Sequence, residues 1–385
     1  MRILIIHTFY SQKGGEDAVF EQEYQLLKEK YTVEKMKFFN STGIKGLFQF
    51  AGSIWNISAT QKLIRKLNEF KPDLVHIHNW HFASGPLIIR AIHKKKIPII
   101  LTLHNFRLLC PSGILFHNGS IYTESLKVDF PFRAVFSGVY RNSILQTFWL
   151  AFIIWFHKVI GTWNMVSRYL LLTDFARNIF IESSFSVFEE KLVVKPNFLL
   201  KNECVGIFER STDFLFVGRL TEEKGIKVIL DAFIGSKYVI KIVGEGPLKE
   251  MVQVAAKSSH NIIYIGPLDK NGVLLEMAKC SAIVFPSVWY EGMPMTIIEA
   301  LAMGTPVIAS NIGAMMSMIE SGNNGFLFEV GDVKSLLDML DLWNEMNLED
   351  KHEVYLKSKQ YFNDYYSEKS NLIQFEKIIQ NVFSN

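Results

Sequence analysis

Two glutamates eight residues apart, Glu291 and Glu299, lie in the run WYEGMPMTIIEALAMGTPVIAS (289–310), directly after the apolar stretch CSAIVFPS. The spacing places Glu291 in a loop, Pro294 in the first turn of a helix and 295–303 along that helix. First-turn N–H groups lack intrahelical acceptors and sit at the positive end of the helix dipole, so the turn is a ready anion site. Glu299, one turn in, can reach hydroxyls of a ligand held there, and Glu291 lies nearer the mouth. Phosphate beside vicinal hydroxyls describes a nucleotide sugar. The bare spacing fits two surface glutamates around a helix start equally well.

A second run, FVGRLTEEKGIKVILDAF (216–233), ends a strand at Gly218, flanks a turn with Arg219 and Lys224, and opens a helix at Gly225. A planar guanidinium fork and a point-charge ammonium at a strand's carboxyl end can neutralise a diphosphate. They can also be two solvated loop charges. In HTFYSQKGGEDAVF (7–20), Gly14 and Gly15 precede a helix, which suits close approach of backbone to phosphate or a plain flexible turn. Gly244 and Gly246 in IVGEGPLKE have no third glycine and make no dinucleotide fingerprint, and no Walker-type lysine loop occurs. His76, His78 and His81 (HIHNWH) and His104 (TLHN) fall at strand ends. His76 and His78 share a strand face, yet no nearby carboxylate or cysteine pair completes a metal site in the sequence, so they read as hydrogen-bonding groups of a cleft. Without an Asp-x-Asp pair, diphosphate charge falls on Arg219, Lys224 and the helix end.

These groups need a scaffold that ends strands at ligands. Short apolar runs alternate with amphipathic segments: strands at 2–7, 31–37, 73–78 and 97–103, helices at 18–30, 58–70 and 85–95. The second half repeats this, with strands at 213–217, 238–243, 261–265, 282–285, 306–309 and 325–328, helices between them, and two helices over 350–383. Strands apolar on both faces and alternating with helices predict doubly wound α/β layers. The joint falls near 193–206, where the pattern gives way to Pro, Asn and Gly. Two Rossmann-like domains facing each other across a cleft are expected, 1–198 and 199–365.

Composition excludes other classes. Apolar residues are 49% and charged residues 21%, too rich in core-formers for disorder. Cys110, Cys204 and Cys280 are too far apart for a disulfide framework or a cysteine zinc site and suit a reducing compartment. MRILIIHTFY reads as a first strand rather than a signal peptide. The net charge of +3 conceals an asymmetry: residues 1–200 hold 24 Lys and Arg against 14 Asp and Glu, and the remainder 17 against 24. A basic half fits an anionic membrane or a phosphorylated substrate, or is surface drift. The segment 144–163, ILQTFWLAFIIWFHKVIGTW, is broken by Gln146, His157 and Lys158. It reads as a buried or groove-lining helix, with a helix in the membrane interface and a true span as the other readings.

Glu291 and Glu299 with GTPVIAS behind resemble the E-x7-E signature of retaining glycosyltransferase family 4, whose fold is GT-B. The similarity continues through the Gly-Gly loop, DLVHIHNWH, TLHN, VVKPN, GRLTEEKG, VGEGPL and GNNGFLFEVGD. The resemblance implies that Arg219 and Lys224 bind the donor diphosphate and stabilise it as it leaves. Gly14 and Gly15 would close over the same phosphates, Glu299 would hold the donor ribose, and Glu291 the transferred sugar, helped by backbone at Gly292, Met293, Pro294, Met295 and Thr296. His104 would lie near the sugar's reacting face and Leu268 near the base. The family implies no cofactor, no metal and no covalent nucleophile, and tends to return its last helix, here 366–385, to the N-terminal domain. Relatives sharing HNFRLLCPSG often carry further cysteines; 117–126 has none, which leaves Cys110 without companions. The activity expected is hexosyl transfer from a nucleotide sugar, UDP-linked by family frequency with GDP-mannose as the other choice, to a saccharide acceptor, lipid-linked and at the cytoplasmic face of the membrane. Nucleic acid is not an expected partner. A nucleotide-sugar 2-epimerase of the same fold needs no acceptor, and a catalytically silent nucleotide-sugar-binding protein would turn nothing over.

Overall fold

The computed structural model describes residues 1–10, 14–201 and 209–384; Cys204, positions 202–206 of the expected joint, and Asn385 lie outside them. The chain divides into two units, one of Met1–Leu115, Tyr122–Asn197 and Asn371–Asn385, the other of Phe116–Ile121 and Phe198–Ser370.

The first half of the chain runs β1 (Arg2–Phe9), α1 (Gly15–Lys28), β2 (Thr32–Phe39), α2 (Gly43–Gly52), α3 (Ile57–Phe70), β3 (Leu74–Ile77), α4 (Leu87–Lys94) and β4 (Ile99–Leu103). A two-stranded hairpin, β5 (Phe116–His117) and β6 (Ser120–Ile121), precedes α5 (Phe132–Phe136), α6 (Ile144–Val159), β7 (Arg168–Leu171), α7 (Asp174–Glu182) and β8 (Leu192–Val194). The parallel sheet has the order β2-β1-β3-β4-β7-β8. Ile3–Ile6 are wholly buried, as a strand covered on both faces requires. Its core joins Ile3, Ile5, Phe20, Leu74 and Leu170 to Phe375, Ile378 and Ile379 near the chain's end.

The second half runs β9 (Phe214–Val217), α8 (Ile226–Phe233), β10 (Ile240–Val243), α9 (Lys249–Ser258), β11 (Ile262–Gly266), α10 (Lys270–Lys279), β12 (Ala282–Phe285), α11 (Met295–Ala302), β13 (Val307–Ser310), α12 (Met315–Met318), β14 (Gly325–Phe328), α13 (Val333–Glu345), α14 (Leu348–Tyr365) and α15 (Glu368–Phe383). Its parallel sheet is ordered β11-β10-β9-β12-β13-β14. Phe214, Phe216, Ile229, Phe233 and Trp343 centre its core.

Each sheet changes direction once. The first places β2 on one side of β1 and β3 on the other; the second places β10 beside β9 on one side and β12 on the other. Loops leaving the two neighbouring strands diverge there and open a crevice at their carboxyl ends.

The sequence reading found no elements at α2, α5, β7, α7 and β8. Helix α2 has no buried residue, and its apolar residues are not part of the core. Strand β7 opens on the half-buried Arg168, and β8 has three residues of which only Leu192 is buried, so neither shows a run buried throughout. The apolar segment folds as α6, with Thr147, Leu150, Ala151, Ile153 and His157 buried on one face. Among the described residues, no helix is long and apolar enough to cross a membrane.

Candidate active site

The loops leaving β9 and β12 are locked together. Gly225 has φ +72°, and a Cβ there would lie 1.9 Å from the Pro286 carbonyl oxygen. Val288 N–H donates to the Glu223 carbonyl at 2.9 Å. On the other side, Cβ atoms at Gly244 and Gly246 would strike Gly218 and Leu220 backbone at 1.9 and 2.6 Å. These two glycines therefore seat the β10 loop against the β9 loop.

This brings Lys224 onto Glu291. Lys224 Nζ lies 2.6 Å from Glu291 Oε1, which also accepts from Ser287 Oγ at 2.7 Å and Trp289 Nε1 at 2.8 Å. Three donors converge on one oxygen, and Oε2 has no hydrogen bond to the described residues. Glu291 is only 6% exposed, so it lies deeper than the expected position near the mouth. The Lys224 ammonium also faces the Phe285 and Trp289 rings at 5.5 and 5.6 Å. A preformed cation and a carboxylate with one oxygen spare sit at the switch point, beside the start of α11.

The other charged residues expected in this half, Arg219 and Glu299, are paired elsewhere. Pro294 is the N-cap and Met295 the first helical residue, one position later than the spacing suggests. Met295 and Thr296 are half-buried, Gly292 likewise, and Met293 is buried. Arg219 is exposed, with its guanidinium 3.3 Å from Glu223 Oε1. Glu299 is not an unoccupied carboxylate: Lys270, at the start of α10, binds it. Leu268 lies beyond β11, part-exposed and two strands from β9. The sequence reading missed Lys270, Ser287 and Trp289. Only Trp289, two residues before Glu291, had any local signal.

In the first unit, β1 and β3 deliver their groups side by side. Thr8 N–H donates to Asn79 O at 3.1 Å, and Asn79 Nδ2 returns a bond to Thr8 O at 2.8 Å. Asp17 takes the Gly14 N–H at 3.0 Å and holds His7 Nε2 at 2.7 Å with its other oxygen. So the Gly14 N–H already has an acceptor. Gly14 and Gly15 are exposed at the start of α1. His104 follows β4, is part-buried, and meets His78 with 3.3 Å between Nε2 and Nδ1. Burial, with His7, His76 and Lys195 nearby, pushes its imidazole down to about 3. Beside it, the Glu16 carboxyl is pushed up to about 8 by burial and the Asp17 charge, against Arg107. Glu16, His78, Asn79, His104 and Arg107 line one small pocket.

The histidines do have a carboxylate partner, contrary to the sequence reading. Glu23, on α1, is 2% exposed, and its two oxygens lie 3.4 Å from His76 Nδ1 and His78 Nε2. Helical spacing alone places Glu23 on the core side of α1, but nothing local names its partners. The three ligand atoms lie within 4.8 Å of one another, compact enough for a cation. Lys195 Nζ already sits 3.4 Å from the same carboxylate. Burial holds His76 down at about 4 and His78 well below its usual value, so both rings are neutral. The cluster is thus an internal ion pair flanked by two neutral imidazoles.

Comparison with known proteins gives this geometry a family. Residues 201–361 match the family model for glycosyl transferases group 1, and residues 20–198 match that for Glycosyltransferase Family 4. An uncharacterized glycosyltransferase of Methanocaldococcus jannaschii is 31% identical over 362 residues, covering 90% of each chain. The Escherichia coli UDP-Gal:alpha-D-GlcNAc-diphosphoundecaprenol alpha-1,3-galactosyltransferase is 30% identical over 155 residues, 37% of this chain and 38% of that one. The crystal structure of Anabaena HepE in complex with UDP superposes with a TM-score of 0.67 at 15% identity, over 99% of this chain and 100% of that one, a likeness of fold. The chain belongs to glycosyltransferase family 4, the group 1 glycosyltransferases of GT-B fold.

Proposed function

We propose that the chain transfers a hexose, with retention, from a nucleotide diphosphate sugar to a saccharide on a lipid diphosphate, in surface polysaccharide synthesis at the cytoplasmic membrane face. The observation that carries the reading is the Lys224–Glu291 pair at the switch point beside α11. Lys224, Arg219 and the first-turn N–H groups of α11 neutralise the diphosphate as the bond to the sugar's anomeric carbon breaks. Glu291 Oε2 takes a hydroxyl of the sugar, and Glu299 holds the ribose once Lys270 yields. The acceptor hydroxyl attacks the face the phosphate leaves, and the phosphate oxygen takes its proton. Gly14, Gly15 and His104 serve the same reaction from residues 1–198, which bind the acceptor, with residues 199–365 binding the donor at Leu268 and around Glu291.

UDP is favoured over GDP because a structural neighbour holds UDP and a relative is named for UDP-Gal. That relative's diphosphoundecaprenol acceptor supports the lipid-linked acceptor. Release of free nucleotide from UDP-, GDP-, ADP- and CMP-sugars without acceptor is the test. Slow hydrolysis of one donor is expected and names base and sugar. Silence across the panel, with no nucleotide raising the melting temperature, overturns the donor site. Because protein cations neutralise the leaving group, turnover is expected to persist in a chelator; loss restored by a divalent ion refutes the metal-independent step.

A further inference from the structure

Two stretches of the first unit contain no carboxylate: residues 35–68, with six Lys and Arg, and 130–173, with four. The fold packs them together. Trp149 Nε1 donates to Phe50 O at 2.9 Å, His157 Nε2 meets Ile54 O at 2.8 Å, and the Trp55 ring lies 6.2 Å from Phe156.

Together they turn apolar side chains outward. On α2, Ile44, Leu47 and Phe48 are 77%, 64% and 73% exposed, at a spacing that puts them on one face. On α6, Leu145, Phe148 and Val159 are exposed, and half-buried Phe152, Trp155 and Phe156 complete a stripe along the helix. Lys37, Lys45 and Lys62 rim an adjoining groove of about 650 Å³ floored by Phe39, Phe48 and Trp55. Lys37 is paired with Glu21, whereas Lys45 and Lys62 have no carboxylate partner among the described residues. Exposed aromatic faces bordered by these two cations fit an anionic apolar surface. The ten residues of α2 and sixteen of α6 span roughly 15 and 24 Å, short of a bilayer's core, so these helices would lie along the interface.

We propose that the α2–α6 face docks the first unit onto a lipid bilayer bearing anionic headgroups, with Leu47 and Phe48 entering the acyl boundary and Lys45 and Lys62 meeting phosphates. The proposal specifies the membrane contact in the functional reading and rests on it only for the acceptor's location. It excludes the basic run Lys94–Lys96, which ends α4 without large exposed apolar neighbours and bonds Asn68 at the end of α3 distant from Ile57.

Sedimentation of the full chain with vesicles tests it. Binding to phosphatidylcholine vesicles containing phosphatidylglycerol is expected to exceed binding to phosphatidylcholine alone by about tenfold and to fall with salt. The L47S/F48S double variant is expected to lose about tenfold. K45E/K62E is expected to lose the preference for phosphatidylglycerol, and K94E/K95E/K96E to bind as the parent does. Equal binding to both vesicles, no binding, or L47S/F48S binding at the parent level overturns the proposal. So does a dimer that L47S/F48S dissolves in a chain that ignores vesicles, which would give the face to a second copy. Melting shifts with UDP and GDP run on every variant: they confirm folding, and their absence in a parent that binds vesicles overturns the donor site while leaving the docking face standing.

Discussion

Glu291 is held by three donors, of which only Lys224 carries charge. Replacing Lys224 by Ala leaves a buried carboxyl with two neutral donors, and a stability loss of about 1–3 kcal/mol by denaturant titration is expected. If Lys224 and Glu291 have the proposed roles, Glu291→Ala is expected to keep the nucleotide melting shift and lose transfer, because Lys224 stays for the diphosphate while the sugar loses a hydrogen-bond acceptor. Measuring both on one preparation separates binding from turnover. At the histidines the sign of the pH dependence follows from burial. His76 stays neutral in the fold down to about pH 4, whereas an unfolded histidine takes a proton near 6.5. The unfolded chain therefore binds more protons in that window, and stability present above pH 6.5 drains away as pH falls towards 4, by about 3 kcal/mol for this residue. Glu16 acts oppositely: its carboxyl keeps its proton in the fold up to about 8, so stability falls as pH rises from the usual carboxyl range to 8. Glu16→Gln is expected to flatten that alkaline limb in pH-resolved melting curves. Lys224 and Glu291 were legible because each sits in a dense local motif. Glu23, Lys195 and Lys270 were not, because their partners are 53, 172 and 29 residues away and no periodicity links them.

At the scale of elements, glycines separate packing from ligand contact. Gly225→Ala forces a left-handed backbone on a residue whose Cβ meets the Pro286 carbonyl. Gly244→Ala, at φ +145°, meets Gly218 O. Each is expected to cost about 3 kcal/mol or more and to disturb the loops around Lys224. Gly14 is different: its φ is −123°, and a Cβ there has nothing within 4 Å. Gly14→Ala is expected to leave the melting temperature nearly unchanged, so any rise in donor KM reports contact with substrate rather than folding. A melting loss as large as that of Gly225→Ala would instead make Gly14 a structural glycine. The alternation of strands and helices was readable wherever strands are buried on both faces, as at Ile3–Ile6 or Ala282–Phe285. It failed between residues 104 and 192, where α5 is a five-residue helix with Phe132 and Phe136 exposed, β5 and β6 have two residues each, and β7 opens on a half-buried arginine. Helix α6 falls within the segment read as a buried or groove-lining helix. Its apolar run looked like one feature, but only one face is core and the other is open.

At the scale of the whole molecule, the chain's end completes the unit that its beginning founds. Phe375, Ile378 and Ile379 pack with Ile3, Ile5 and Phe20, more than 350 residues earlier in the chain. The Phe375 ring also stacks on His76 at 5.6 Å and lies 5.5 Å from the Lys195 ammonium. It therefore seals the Glu23–Lys195 pair from water on that side. Phe375→Ala is expected to cost about 3–5 kcal/mol in denaturant unfolding, by the cavity it leaves and the apolar area lost. It should also have an effect that a cavity in plain core would not. Water entering beside His76 relieves the desolvation that holds its imidazole near 4, so its titration moves back towards 6.5. With folded and unfolded values closer together, the acid limb of the stability curve becomes shallower even as overall stability drops. Phe375→Leu refills most of the volume and is expected to restore most stability and the steep acid limb together. Stability profiles of the three proteins from pH 4 to 7 decide it. Parallel curves, displaced only in height, would show that α15 contributes packing but does not shield the buried ion pair.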